Sequence, residues 1–251
     1  MSAATAGDVE AVTRGVTAHL ARAARFRAFA LGLEYPSADV RREIERRWRE
    51  LAAQSDAAAG PAAGIAAALA ALAATDPEEL EAGHVRLFGP AGTAPLTETS
   101  YGDPGRLLGK AAALADLGGF YRAFGVLPGS RHARPEDHLA LELEFASLLA
   151  LKEAWAFARG DEAALLVTGE AARKFFAEHL GTWLDAWSAG LDAAAPPAFY
   201  GCLGALVRDA VRAECARLGA EPVVLAARAV DREVGGEALS CPRAGDSPHP
   251  A

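Results

Sequence analysis

A few residue groupings in this chain have the composition of a chemical site. Asp137 and His138 set an acid beside a base, and Glu142 and Glu144 follow shortly after. Adjacent residues on a helix diverge by about 100°, so Asp137 and His138 do not face each other as an acid–base pair. At that rotation His138, Glu142 and Phe145 share one face, and Asp137, Leu141, Glu144 and Leu148 share another. No serine elbow, HExxH or glycine-rich dinucleotide fingerprint accompanies them, which points away from catalysis. On sequence chemistry alone, Asp137 caps or pairs at a helix start. Glu81-x-x-His84 has the i,i+3 spacing of carboxylate-bridged di-iron bundles. Those bundles need a second such pair plus two further glutamates, and no second Glu-x-x-His is present. The pair reads instead as an acid and a histidine on an amphipathic helix. Gly105 to Ala111, GRLLGKA, is one residue short of a phosphate-binding loop and has alanine where the magnesium-binding hydroxyl belongs. Cys202, Cys215 and Cys241 form no CxxC pair and no zinc spacing. Cys202 and Cys215 fall on one helix, too far apart to bridge, as in a protein of a reducing compartment. Neither a metal site nor a cofactor is expected.

The residues around 137–144 need a helix to position them. The spacing predicts one from Pro135 to about Arg159, with proline in the first turn and Glu136 and Asp137 at its N-terminal end. Leu139, Leu141, Leu143, Phe145, Leu148, Leu149 and Leu151 point nearly all round the axis, the pattern of a helix buried among others. Buried carboxylates are costly unless paired, so the acids of this helix either serve a site or hold neighbouring segments. Upstream, Asp8 is placed to cap a helix reaching about Leu33, and Ser37 to cap one from Ala38 to about Ala53. That second helix interleaves Arg41, Arg42, Arg46, Arg47 and Arg49 with glutamates, a solvated face rather than a nucleic-acid patch. A short alanine helix ends at Ala74, and Asp76-Pro77 starts another that Gly89-Pro90 stops. Residues 89–102 are the longest loop of this region, a length that is often functional. Asp103-Pro104 opens a helix closed by Gly125, and a turn with Pro128, Gly129 and Arg131 follows. A run from Glu162 to Leu191 is expected to kink near Gly169 or Gly181. The last long helix covers Ala198 to Leu218, with a weak one over Val223–Val234. Residues 1–7 are expected to fray, and the Gly-, Pro- and Ser-rich stretch 235–251 to form a disordered tail after a single domain at 1–234.

The segment PEDHLALELEF at 135–145 resembles the signature of the TorD-, DmsD- and NarJ-like chaperones that mature molybdenum oxidoreductases. ETSYGDP at 98–104, ALADLGGFYRAFGV at 113–126, ARKFFAEHLGTWLDAW at 172–187 and PAFYGCLGALV at 197–207 resemble the same family in the same order. GFYRAFG and LALKEA are most similar to the subgroup serving type II enzymes of the dimethylsulfoxide reductase family. Ala146 stands where many relatives carry methionine, with the position apolar either way. The resemblance implies an all-α, single-domain bundle that is not an enzyme. It implies a cytoplasmic chaperone holding the apo catalytic subunit, and its twin-arginine leader, until cofactor insertion. It nominates Asp137 and His138, with Glu98 and Tyr101 in the preceding loop, for the leader-binding surface, and Glu142 and Glu144 as further acids. Tyr121, Phe124, Trp183 and Trp187 are expected in the core rather than at the contact.

Composition agrees with this class. Hydrophobic residues make up 51% of the chain, enough for a large core, and alanine predominates over β-branched runs. A net charge of −8 argues against nucleic acid and admits a cationic partner. The N-terminus has no basic and apolar export signal, and no apolar stretch is long enough to span a bilayer. Two other classes stay open: a helical metalloenzyme using Glu81, His84, His138 and Glu142, and a structural subunit of an oxidoreductase complex.

Overall fold

The computed structural model describes residues 6–54, 60–102, 107–126 and 134–225. Its helices are α1 (Ala6–Gly32), α2 (Ala38–Gln54), α3 (Gly60–Ala74), α4 (Pro77–Phe88), α5 (Leu107–Ala123), α6 (Leu139–Arg159), α7 (Glu162–Phe175), α8 (Gly181–Ala193) and α9 (Ala198–Leu218). A 3-10 turn, Glu98–Ser100, lies between α4 and α5, and a π-helical turn, Phe176–Leu180, joins α7 to α8. Among the described residues there is no strand, only an isolated antiparallel bridge between Thr97 and His138. The fold is all-α, as expected.

Local chemistry accounts for most boundaries. Asp76 accepts from the N–H groups of Glu78 and Glu79 at 2.8 and 3.4 Å, ahead of Pro77 at the first helical position. Ser37 Oγ accepts from Val40 N–H at 3.4 Å at the start of α2. Helix α6 ends at Gly160, whose φ of +63° is the left-handed conformation that glycine adopts freely. α1 begins at Ala6, ahead of the Asp8 expected to cap it. The Asp103-Pro104 opening of α5 and the turn at Pro128, Gly129 and Arg131 lie outside the described residues. So do residues 1–5, the tail at 235–251 and most of the weak helix at 223–234, of which Val223 to Leu225 are non-helical.

One expectation is corrected. Helix α6 starts at Leu139, not Pro135. The backbone just before it is already committed to the loop: Glu98 N–H donates to Asp137 O at 3.0 Å and Leu139 N–H to Leu96 O at 2.7 Å. Asp137 therefore precedes the helix, and His138 is its N-cap. The long run expected to kink near Gly169 or Gly181 is interrupted beside the second of these, by the π turn that Gly181 closes.

The helices pack around one apolar core. Phe26 and Phe29 of α1, Trp48 of α2, Leu143 and Phe145 of α6, Phe175 of α7, Trp183 and Trp187 of α8, and Phe199 and Tyr200 of α9 all belong to it. Helices α1 and α6 lie side by side along much of their length, α7 packs on α6, and α3 and α8 pack on α9. α6 is buried on most sides, which explains its near-uniform leucine content.

Candidate functional site

The loop before α5 is clasped to the start of α6 by one side chain. Asp137, only 1% exposed, accepts from Thr99 N–H at 3.0 Å and from Thr99 Oγ1–H at 2.7 Å, both at Oδ2. With the flanking backbone bonds, this fixes residues 96–100 against 137–139. Tyr121 of α5 donates from its hydroxyl to Glu136 O at 2.7 Å, tying a third element to the same point. Tyr101 donates to Pro95 O at 3.0 Å and stacks on Trp183, with ring centroids 5.2 Å apart. The loop is thus pinned to the helices, with its Ala94, Leu96 and Glu98 buried.

Beneath the loop lies a relay of charged groups. Glu98 pairs with His179 Nδ1 at 3.1 Å, and His179 Nε2 pairs with Asp116 Oδ2 at 3.1 Å. Burial works against the imidazolium, but Glu98 and Asp116 together outweigh it and raise the His179 pKa above the ordinary histidine value. His179 and Glu98 are buried, whereas Asp116 is half open to solvent. Glu142 sits nearby with 0% exposure. Burial, reinforced by the Glu98 and Asp137 charges, pushes its carboxyl well above the usual range, and the nearby Trp183 indole opposes this. Both Glu142 oxygens and the Trp183 and Trp187 indole nitrogens nonetheless lack a well-formed hydrogen bond among the described residues. Burial thus favours the neutral form of Glu142.

Structure separates the predicted site residues into three places. Glu98, Asp137 and Glu142 come together inside, with Tyr101 against Trp183 at their side. His138 opens onto a different recess, lined also by Glu34, Tyr35, His84 and Arg134. Its Nδ1 accepts from Ala140 N–H at 3.2 Å, which requires an unprotonated nitrogen. Burial, then Arg134, lowers the His138 pKa to about 4, so this cap is intact at neutral pH. Glu144 lies on the surface, where it pairs with Arg27 of α1 at 2.6 Å. Tyr121, Trp183 and Trp187 are fully buried and Phe124 partly so, as core residues. No group of three or more His, Cys, Asp or Glu residues suited to a metal occurs among the described residues. Glu81 instead accepts from Tyr35, and His84 Nε2 contacts Leu33 O.

Three contributors escaped the sequence reading: Thr99, Asp116 and His179. A buried histidine in an apolar run such as FFAEHL was the one available signal, and its partners are distant in sequence. Asp116 also lines an open groove of about 620 Å³ between α5 and α7. The groove is walled by Phe120, Phe124, Leu166 and Val167, with Glu170 and Lys174 on it as well. Leu166 and Val167 are 74% and 68% exposed, unusual for large aliphatic side chains. A groove with a carboxylate at one side and exposed apolar walls suits a segment that carries a cation beside apolar residues.

Among the described residues, no helix is long and apolar enough to cross a membrane. No curated protein matches the chain. Residues 51–189 match the family described as nitrate reductase delta subunit, and this stretch takes in the loop, α6, the relay and the α5/α7 groove. That match spans more than half of the sequence, and the chain belongs to the nitrate reductase delta subunit family, whose members are non-enzymatic chaperones of molybdoenzyme maturation.

Proposed function

We propose that this protein binds the apo catalytic subunit of a dimethylsulfoxide-reductase-family molybdoenzyme in the cytoplasm. It engages the client's twin-arginine leader and holds the subunit until its cofactor is inserted. The observation that carries the reading is the α5/α7 groove, where Asp116 stands beside exposed Leu166 and Val167. A leader offers two arginines beside an apolar segment, and the groove offers the complementary pairing. Glu98 is withdrawn from solvent and linked to Asp116 through His179, so it orients the groove's acid rather than meeting the leader. Asp137 and Tyr101 hold the loop, and Glu142 is enclosed behind it. His138 lies in the separate recess with Glu34 and Arg134, and Glu144 lies at the surface beside Arg27, so neither is assigned to the leader.

Calorimetry of a leader peptide against the full chain tests this. Binding should weaken as salt rises, leaving a salt-resistant apolar remainder. Val167→Asp should reduce affinity by about tenfold or more, and Asp116→Asn should flatten the salt dependence. Unchanged affinity in Val167→Asp, with an unchanged melting temperature, would remove the groove from the leader site. Co-purification of the tagged chain without a molybdoenzyme subunit would remove the client assignment itself.

A further inference from the structure

A second cavity, of about 440 Å³, lies among α1, α3 and α9 and shares no lining residue with the α5/α7 groove. Its volume falls within the range of small-molecule sites. It exists because small residues face each other there: Ala67 from α3, and Ala205, Ala210 and Ala213 from α9. Next to this gap the two helices do touch, since a Cβ on Gly64 would lie 2.8 Å from Leu206 Cδ2. Phe29, 1% exposed, supplies an aromatic wall. The surroundings are apolar apart from Arg25, Asp209 and the half-buried thiol of Cys202.

Arg25 is the informative residue. The neighbouring cations have taken the acids within reach. Arg22 pairs with Glu153 and lies 3.4 Å from Glu214 Oε2, and Arg217 holds Glu214 Oε1 at 2.6 Å. Arg25 makes no hydrogen bond or ion pair with a described residue, and its Nε is buried without an acceptor. Burial lowers its pKa, with Glu214 offsetting part of this and Arg22 adding to it, yet a guanidinium stays charged. Asp209 also borders the cavity, but its side chain is 65% exposed and already accepts from Arg208 at 3.1 Å. Water screens its charge far better than that of the half-buried Arg25. A leftover cation beside an apolar cavity calls for a ligand with one anionic end and an apolar body.

We infer that the α1/α3/α9 cavity binds a small free monocarboxylate amphiphile, its carboxylate on Arg25 and its hydrocarbon body against Phe29, Leu206 and the facing alanines. The guanidinium can present two parallel N–H donors to a carboxylate, and the apolar body displaces solvent from surfaces that no side chain covers. Cys202 lies on the wall, where a bound ligand would shield it.

Dodecanoate and dodecanol, each below its aggregation limit, are titrated into the full-length protein by calorimetry. Dodecanoate should saturate one site. Arg25→Met should weaken dodecanoate by about tenfold or more while leaving dodecanol unchanged, because only the acid uses the guanidinium. Arg25→Met should change the melting temperature little, since the lost attraction to Glu214 is offset by relief of burial and of repulsion from Arg22. Ala67→Leu should abolish binding by filling the space, with Ala213→Leu as the second filler should the first fail to fold. Maleimide labelling mapped by peptide mass spectrometry should show Cys202 protected at saturating dodecanoate. Non-saturable binding, equal affinity in wild type and Arg25→Met, or unprotected Cys202 at saturation would each overturn the assignment.

Discussion

Glu142 concentrates the electrostatic cost of the interior. Its folded pKa is raised, so the folded state favours the neutral acid. The stability it contributes is fully present below the ordinary carboxyl value of 4.5 and is lost as pH rises through the raised value. His179 acts in the same direction: its raised pKa contributes stability that is complete below the ordinary value of 6.5 and is lost as pH rises through the raised folded value. Above pH 6.5, where the lowered pKa of His138 no longer costs stability, the protein should therefore melt at progressively lower temperature as pH rises. Glu142→Gln, which mimics the neutral acid, should match wild type in acid and exceed it at alkaline pH by about 1–3 kcal/mol. Chemical denaturation across pH checks this, and parallel curves for the two proteins would contradict it. Asp137 behaves differently, because both of its bonds go to Thr99. Asp137→Ala strands the Thr99 N–H and hydroxyl and should cost about 1.5–3 kcal/mol, with the loop at 89–102 becoming the first site of limited proteolysis. Asp137→Asn keeps an acceptor and should lose less. Sequence supplied Asp137 and Glu142, both buried in the structure, as candidates for the leader-binding surface. It did not supply Thr99, because a contact across the loop carries no short-range signal.

At the scale of elements, the junction of α7 and α8 is tightly constrained. Gly181 closes the π turn, and a Cβ there would lie 2.3 Å from Phe176 O and 3.1 Å from Cys215 Sγ. Both neighbours are fixed, one by the turn itself and one by α9, so Gly181→Ala should destabilise the fold by about 1–3 kcal/mol through overpacking. Gly169 has no contact closer than 3.8 Å, to Glu153, and Gly169→Ala should be neutral or slightly stabilising. Thermal melts of the two variants side by side separate these outcomes, and equal melting temperatures would refute the close approach. The glycines were visible as candidate kinks in sequence. Which one mattered depended on α9 lying against the turn.

Across the whole molecule, a buried ionic cluster joins the first, central and last helices. Arg22 of α1 bridges Glu153 of α6 and Glu214 of α9, and Arg217 reaches both acids. Glu153 is 3% exposed and Glu214 6%. Breaking such a network leaves uncompensated charge inside, so Arg22→Ala should cost about 3–5 kcal/mol in urea unfolding. Added salt should change the wild-type value little, because buried pairs are screened less than surface ones. A cost below about 1 kcal/mol would show the cluster to be solvated rather than structural.

By itself the sequence determined the helices, most of their ends and several of their caps. Asp76-Pro77, Ser37, Gly160 and the apolar periodicities act within a few residues and need no tertiary partner. It also determined the family resemblance, through motifs whose residues build the loop clasp and the buried relay. Only the tertiary structure decided where those residues point. It moved the start of α6 to Leu139, because loop backbone groups claimed the positions before it. It enclosed Glu98, Asp137 and Glu142 and left Asp116 facing the groove. It also left Arg25 without an acid, since Arg22 and Arg217 took those available. Such outcomes depend on competition among groups distant in sequence for the same buried partners, a competition that exists only once the helices are packed.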